Sequence, residues 1–302
     1  MNKRRGDTGT RRHGKRDRIA ASPRHRVAVS QSLPPKRRFG QNFLTDERVV
    51  ERIVDEVYLR ERETIIEIGA GHGALTSRLI ESAGHLVAIE YDRDLVPLLQ
   101  ENFKAYANFT LIEADALAVD LCAAIAPATS ARVVANLPYY ISTAILQRLI
   151  EQRACLSEMV LMLQREVVER ITARPNSSER GFLSVLVEAY CEAEKLFDVA
   201  PTSFRPAPKV WSSVVRLRFR EQSGASVRDE SLFLQIISAG FAQRRKTIFN
   251  NLRHSPAELR ERLENSGGVE KVLESAGIEK QRRAESLTLE EWGELVATME
   301  SL

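Results

Sequence analysis

Cysteine is scarce in this chain: Cys122, Cys155 and Cys191 are the whole supply in 302 residues. No two of them form a C-x-x-C pair or stand at metal-ligand spacing, which excludes a zinc ribbon and a thioredoxin-like redox motif, and no metal site is expected. All three lie in apolar patterns, so buried, reduced and inert thiols in the cytoplasm are expected. Long apolar runs are missing too. None approaches the ~18 residues of a membrane span, no apolar h-region marks a secretory signal, and no membrane partner is expected. There is no internal repeat. Acidic residues are nearly absent from residues 1–38, where Asp7 and Asp17 face thirteen Lys/Arg. That segment is +11, and the rest of the chain is −8 beneath a total of +3.

A basic arm on a mildly acidic body points to a polyanion reached by a tail. Residues 1–35 are poor in apolar side chains and read as a basic disordered tail. An Arg-rich, acid-poor start is also the composition of a mitochondrial transit peptide, but its first residues lack an apolar helical face. Order is expected to begin near Lys36-Arg37-Arg38-Phe39-Gly40-Gln41-Asn42-Phe43-Leu44, with Phe39 and Phe43 as anchors and Asn42 facing a ligand. Thr45 or Asp46 caps a helix whose apolar face is Val49, Val50, Ile53, Val54 and Val57.

Beyond that helix the chain alternates strand and helix. Thr64–Ile68 reads as a strand, Gly69–Gly73 as a tight loop and 74–82 as a helix. Leu86–Glu90 is the next strand, and Asp92 caps a helix through Val96, Leu98 and Leu99. Phe109–Glu113 is the third strand, closed by Ala114-Asp115. Arg132–Ala135 leads the fourth, ending at Asn136, and Met159–Leu163 is the fifth. Helical patterns come next at 165–173 and 181–194, then an antiparallel pair, Lys195–Ala200 and Val210–Phe219. Repeated βα units predict a parallel sheet with helices on both faces. After Arg220 the character changes. Glu221–Ser226 reads as a linker, and 229–302 holds only helical patterns broken at Gly267-Gly268 and Gly277, so 222–302 is a small all-helical domain.

The polar residues that carry chemistry stand at strand ends, where open α/β sheets bind ligands. Gly69-Ala70-Gly71-His72-Gly73 lets a ligand approach the backbone, and the helix after it favours an anionic group. Glu90 lies near the ~20-residue offset of an acid that holds ribose hydroxyls. To this point NAD and S-adenosylmethionine (SAM) fit equally, although G-x-G-x-G is not the G-x-G-x-x-G of NAD sites. Asp115 can accept from an adenine amino group. His72 reads as an ordinary loop residue.

Asn136-Leu137-Pro138-Tyr139-Tyr140 suits one reaction well. The lone pair of an exocyclic base amine is delocalised into its ring. A side-chain carbonyl from Asn136 and the Leu137 backbone carbonyl can accept both N–H hydrogens, favouring a pyramidal nitrogen whose lone pair faces a methyl donor. Pro138 has no N–H to compete and a fixed φ, and Tyr139 offers a ring for an extruded base. A bare N-P-Y is more often an Asx turn over core tyrosines; the company of Glu90 and Asp115 at the other strand ends reverses that weighting.

Taken in order, F-G-Q-N-F-L, E-I-G-A-G-H-G, N-L-P-Y, S-F-R-P-A-P-K-V and Phe241-Ala242-Gln243-Arg244-Arg245-Lys246-Thr247 resemble the KsgA family of small-subunit rRNA adenine dimethyltransferases over roughly 36–292. The resemblance implies a Rossmann-like class I SAM-dependent methyltransferase sheet at 36–221 and a helical RNA- or ribosome-binding domain at 222–302. It implies SAM as cofactor and two methyls on N6 of each of two adjacent adenosines near the 3′ end of 16S rRNA. The substrate would be a small-subunit precursor late in assembly, met by a monomer. By position, Asn42, Leu44, Gly69, Gly71, Glu90, Asp115 and Asn136 would line the SAM pocket. Leu137, Pro138 and Tyr139 would hold the adenine, with Phe204 as the opposite wall. Trp211 departs from the family, where Asp or a small residue is usual. Leu137 and the Arg244–Thr247 run distinguish the chain from the related large-subunit (23S) methyltransferases of macrolide resistance. Intact Glu90, Asp115 and Asn136 weigh against a non-catalytic RNA-binding factor.

Overall fold

The computed structural model describes residues 41–58, 62–221, 223–224 and 229–301. The expectations for the basic tail and for Phe39 lie outside the described residues. The chain opens with a short strand β1 (Phe43–Leu44) and helix α1 (Glu47–Val57), whose N-cap is Asp46, its carboxylate accepting from Arg48 N–H. Then come β2 (Thr64–Ile68), α2 (Thr76–Leu79), β3 (His85–Glu90), α3 (Val96–Phe103), β4 (Phe109–Glu113), α4 (Leu121–Ala124), β5 (Ala131–Asn136), α5 (Ser142–Glu151) and β6 (Leu156–Gln164). Two helices, α6 (Arg165–Ile171) and α7 (Phe182–Tyr190), precede β7 (Cys191–Val199), β8 (Phe204–Arg205) and β9 (Ser212–Phe219).

Seven strands form one sheet in the order β4-β3-β2-β5-β6-β9-β7. The pairings among β4, β3, β2, β5 and β6 are parallel, and β9 lies antiparallel between β6 and β7. Strand order reverses between β2 and β5, which opens a crevice at their carboxyl ends. Both central strands are apolar throughout most of their length because both faces are covered. Alternate residues feed two cores: Ile65, Leu86, Ala88, Val134 and Val160 meet α1, α2 and α3, while Ile66, Ile68, Val87, Ile89 and Val133 meet α5 and α7.

Five more helices complete the chain: α8 (Glu230–Gly240), α9 (Ile248–Arg253), α10 (Ala257–Asn265), α11 (Val269–Ser275) and α12 (Leu289–Ser301). Their apolar side chains, including Phe233, Ile237 and Trp292, join the same core as α5 and α7. Arg180, 1% exposed before α7, fixes this junction. Its guanidinium donates to Ala173 O at 3.0 Å and Leu287 O at 3.3 Å, and pairs with Glu188 at 2.7 Å.

Four details differ from the sequence expectation. Helix α7 stops at Tyr190 and strand β7 begins at Cys191, not Lys195. Residues 191–195 favour helix locally, but Glu192 and Glu194 lie opposite Arg218 and Arg216 across the sheet, and that pairing overrides propensity. The helix expected over 74–82 is a single regular turn, and Asp92 closes the turn ahead of α3 through Asp94 N–H (3.1 Å) instead of capping the helix itself. Cys122 and Cys155 are not separate reduced thiols: they form a disulfide, Cα–Cα 5.5 Å. Gln152 brings them together, donating from its amide to Val119 O and accepting from Leu121 N–H. Cys191 is a free, buried thiol, its pKa pushed up to about 12 by burial. No described helix is long and apolar enough to cross a membrane, and no described cluster of His, Cys, Asp or Glu could hold a metal.

Candidate active site

The crevice holds a cavity of about 390 Å3. Gly69, Gly71, Glu90, Asp115, Asn136, Leu137, Pro138, Tyr139 and Asn42 all line it. Each comes from the carboxyl end of a parallel strand or from the segment laid across those ends.

The glycine loop is a cradle whose backbone conformation calls for glycine. Gly69, Gly71 and Gly73 have φ of +74°, +59° and +84°, in the left-handed region that favours glycine. A Cβ on Gly71 would stand 3.2 Å from the Phe43 ring. Phe43 also packs on His72, ring centroids 4.0 Å apart, so His72 supports the Phe43 ring. The loop turns one N–H inward: Gly71 N donates to Glu90 Oε2 at 2.9 Å, and Asp92 N donates to Oε1 at 2.8 Å. The Glu90 carboxylate is thereby fixed, and each oxygen retains accepting capacity for hydroxyls of a ligand. Burial raises its pKa, against the lowering by these N–H bonds.

Beneath it, Glu67 is 1% exposed and accepts from Thr76 Oγ1 at 2.6 Å. Burial first, and the Glu90 charge after it, push its carboxyl up to about 7. Glu90, Asp92 and Asp115 together give this side of the cavity an acidic wall.

Asn136 ends β5. Its Nδ2 donates to Asn42 O at 3.2 Å, which turns the side-chain carbonyl the other way and leaves it an acceptor. Leu137 N–H continues the sheet to Met162 O at 3.2 Å, holding the peptide before Pro138 in place. The Tyr139 hydroxyl meets Ser212 Oγ at 2.6 Å, which fixes the ring against β9, and burial raises its pKa. Asp115 binds Leu117 N–H at 2.9 Å and is exposed at the cavity edge.

Two of the expected residues stand apart from the others. Leu44 and Phe204 do not line the cavity. They face each other across a two-stranded ribbon of β1 and β8, Leu44↔Phe204 and Phe43↔Arg205, and are 6% and 1% exposed in the core under α1. A ring that deep has no face open to a base; it anchors the ribbon. Polar lining residues to which the sequence reading gives no site role include Gln41, whose amide donates to Asp92 Oδ2 at 2.9 Å, Tyr91, Asp92 and Tyr140. Tyr91 and Tyr140 are each 58% exposed. Their signal is adjacency, one aromatic directly after Glu90 and one after Tyr139.

A sheet in this strand order, with a glycine cradle after its first central strand, a fixed acid after the second and a polar amide at the switch point, defines a class I SAM-dependent methyltransferase. Solved structures share this fold. A dimethyladenosine transferase from Plasmodium falciparum superposes with a TM-score of 0.73 at 23% identity, covering 86% of this chain and 98% of its own. The 23S rRNA methyltransferase ErmE gives 0.61 at 24% identity, covering 86% and 100%. Residues 34–294 match the family described as ribosomal RNA adenine dimethylase, and the chain belongs to it. Proteins named ribosomal RNA small subunit methyltransferase A are similar along most of their length. The one from Clostridium botulinum strain Kyoto is 42% identical over 256 residues, 85% of this chain and 90% of its own. The one from Bacillus licheniformis is 42% identical over 264 residues, 86% and 89%.

Proposed function

We propose that this enzyme places two methyl groups on N6 of each of two adjacent adenosines near the 3′ end of 16S rRNA, acting as a cytoplasmic monomer on a late small-subunit precursor. The observation that carries the reading is Asn136: a side-chain carbonyl at the switch point, its orientation set by Asn42, over a cavity walled by Tyr139.

When bound, SAM supplies an electrophilic methyl on a cationic sulfonium. The residues present fit it. Gly69 and Gly71 would admit its close approach, Glu90 would accept from the ribose hydroxyls, and Asp115 would accept from the adenine amino group. The acidic wall favours the cation. Asn136 Oδ1 and the Leu137 carbonyl accept the two N6 hydrogens of the target base, pyramidalising the nitrogen toward the donor. Tyr139 stacks on the extruded ring. Its hydroxyl stays with Ser212, so the ring positions the base and carries no proton.

The test is to incubate the protein with tritiated SAM and under-methylated small subunits and map the label. Dimethyladenosine at two adjacent positions of the 16S 3′ end is expected. Label on large-subunit RNA instead would overturn the choice of substrate, and no label in any rRNA would overturn the activity.

A further inference from the structure

Large apolar side chains exposed among the described residues are Tyr58, Tyr91, Tyr140, Val210 and Trp211. Tyr91 and Tyr140 line the cavity. Val210 and Trp211 lead into β9, whose first residue, Ser212, holds the Tyr139 hydroxyl. Trp211 therefore stands one residue from the group that fixes the base-stacking ring. Its own carbonyl accepts from Arg165 N–H at 2.9 Å, so its backbone is tied to the end of β6 while its indole is 47% exposed. A pinned aromatic loses little freedom when it stacks.

The approach to it is stiff and basic. Residues 200–211 include Pro201, Pro206 and Pro208, expose Arg205 and Lys209, and contain no carboxylate. A single exposed tryptophan is ordinary by itself. One whose backbone is tied next to Ser212, the partner of Tyr139, on a segment with cations and no acids, has the composition of a single-strand RNA platform: an aromatic face for a base with positive charge for the adjoining phosphates.

We propose that Trp211 is a stacking shelf for the nucleotide beside the target adenosine, with Arg205 and Lys209 contacting the phosphates on either side. The inference rests on the reading that Tyr139 receives an extruded adenine. Drawing one base out of an RNA strand deprives its neighbour of a stacking partner too, and Trp211 replaces it. The contact exists before and during methyl transfer, so it belongs to binding and not to the chemical step.

The experiment measures steady-state kinetics on under-methylated small subunits, with SAM affinity as a control. Trp211→Ala should raise KM for the particle about five- to a hundredfold, the range of one lost base stack, while kcat and SAM affinity hold. Trp211→Phe should recover most of the loss, because it keeps an aromatic face. Lys209→Gln should lower the salt slope of particle binding by about one. Ultraviolet cross-linking should join RNA to the peptide bearing residue 211 in the wild type and the Phe variant, and not in the Ala variant. Unchanged KM in Trp211→Ala, or equal impairment in Trp211→Phe, overturns the shelf while wild-type methylation still stands. A wild type that methylates no adenosine overturns the reading beneath it.

Discussion

At the scale of single residues, two polar side chains carry most of what can be tested. Asn136 accepts from the target amine chiefly in the transition state, so its loss should fall on kcat. Asn136→Ala is expected to lower kcat by about a hundredfold or more, with SAM affinity little changed by calorimetry. Turnover within tenfold of wild type would remove Asn136 from that role. Glu67 is the other. Its folded pKa of about 7 lies above the 4.5 of an ordinary Glu, so the folded state binds its proton more tightly than the unfolded state. Its contribution to stability is full below about pH 4.5 and is lost as pH rises through about 7, a fall of about 3 kcal/mol at 1.36 kcal/mol per pKa unit. Glu67→Gln should flatten that fall. If melting temperatures of wild type and variant keep the same spacing from pH 4.5 to 8, Glu67 is not protonated in the fold.

The lining of the cavity was largely legible at this scale because strand ends in a parallel sheet are marked by where an apolar run stops. Glu90, Asp115 and Asn136 each stand at or just past the end of such a run. What a match in sequence does not carry is the direction a side chain faces. Leu44 and Phe204 align with site positions, yet their pairing across the ribbon turns both inward. The Cys122–Cys155 bond was illegible for a related reason: 33 residues separate the two, and only the packing of α4 against the end of α5 makes them neighbours.

At the scale of elements, the glycine loop and α3 are fitted to each other. Gly73 combines φ +84° with a position where a Cβ would lie 2.8 Å from the fully buried Phe103 ring on α3. Gly73→Ala adds left-handed strain of about 1–2 kcal/mol to overpacking of about 1–3 kcal/mol. The expected result is a loss of about 2–5 kcal/mol in denaturant unfolding, with weaker SAM binding because the Gly71 to Glu90 bond shares the loop. Stability unchanged by the substitution would mean that α3 gives way freely. The βα alternation itself was readable from periodicity. The α7–β7 boundary was not, because Glu192 and Glu194 gain their partners only when β9 lies beside them.

At the scale of the whole molecule, the linker at 221–226 marks a change of composition but not a break in the core. Trp292 and Phe233 pack in the same apolar body as Leu186 and Leu149. Arg180 holds the two parts together with Leu287 O and Glu188. Arg180→Ala leaves the Leu287 carbonyl without its donor while the partly exposed Glu188 carboxylate turns to water, at a cost of about 1–3 kcal/mol. Calorimetry should show one transition moved to lower temperature. Two separate transitions in the wild type would instead make the helical part an independent unit.

The ribbon of β1 and β8 reaches beyond anchoring. Asn42, next to one strand, holds Asn136; Arg205, in the other, begins the segment that ends at Trp211. Thr45 N–H and Asp46 N–H both bind Ser203 O, at 2.9 and 3.3 Å, so the two strands settle together. Were cofactor to bind against Asn42 and RNA along 205–211, both would rest on this one ribbon, and the two binding steps would be coupled through it. Such coupling is reciprocal by thermodynamic necessity. A non-reactive SAM analogue should tighten RNA binding by the same factor by which RNA tightens the analogue, and Thr45→Pro, which removes the 2.9 Å bond, should bring that common factor toward one.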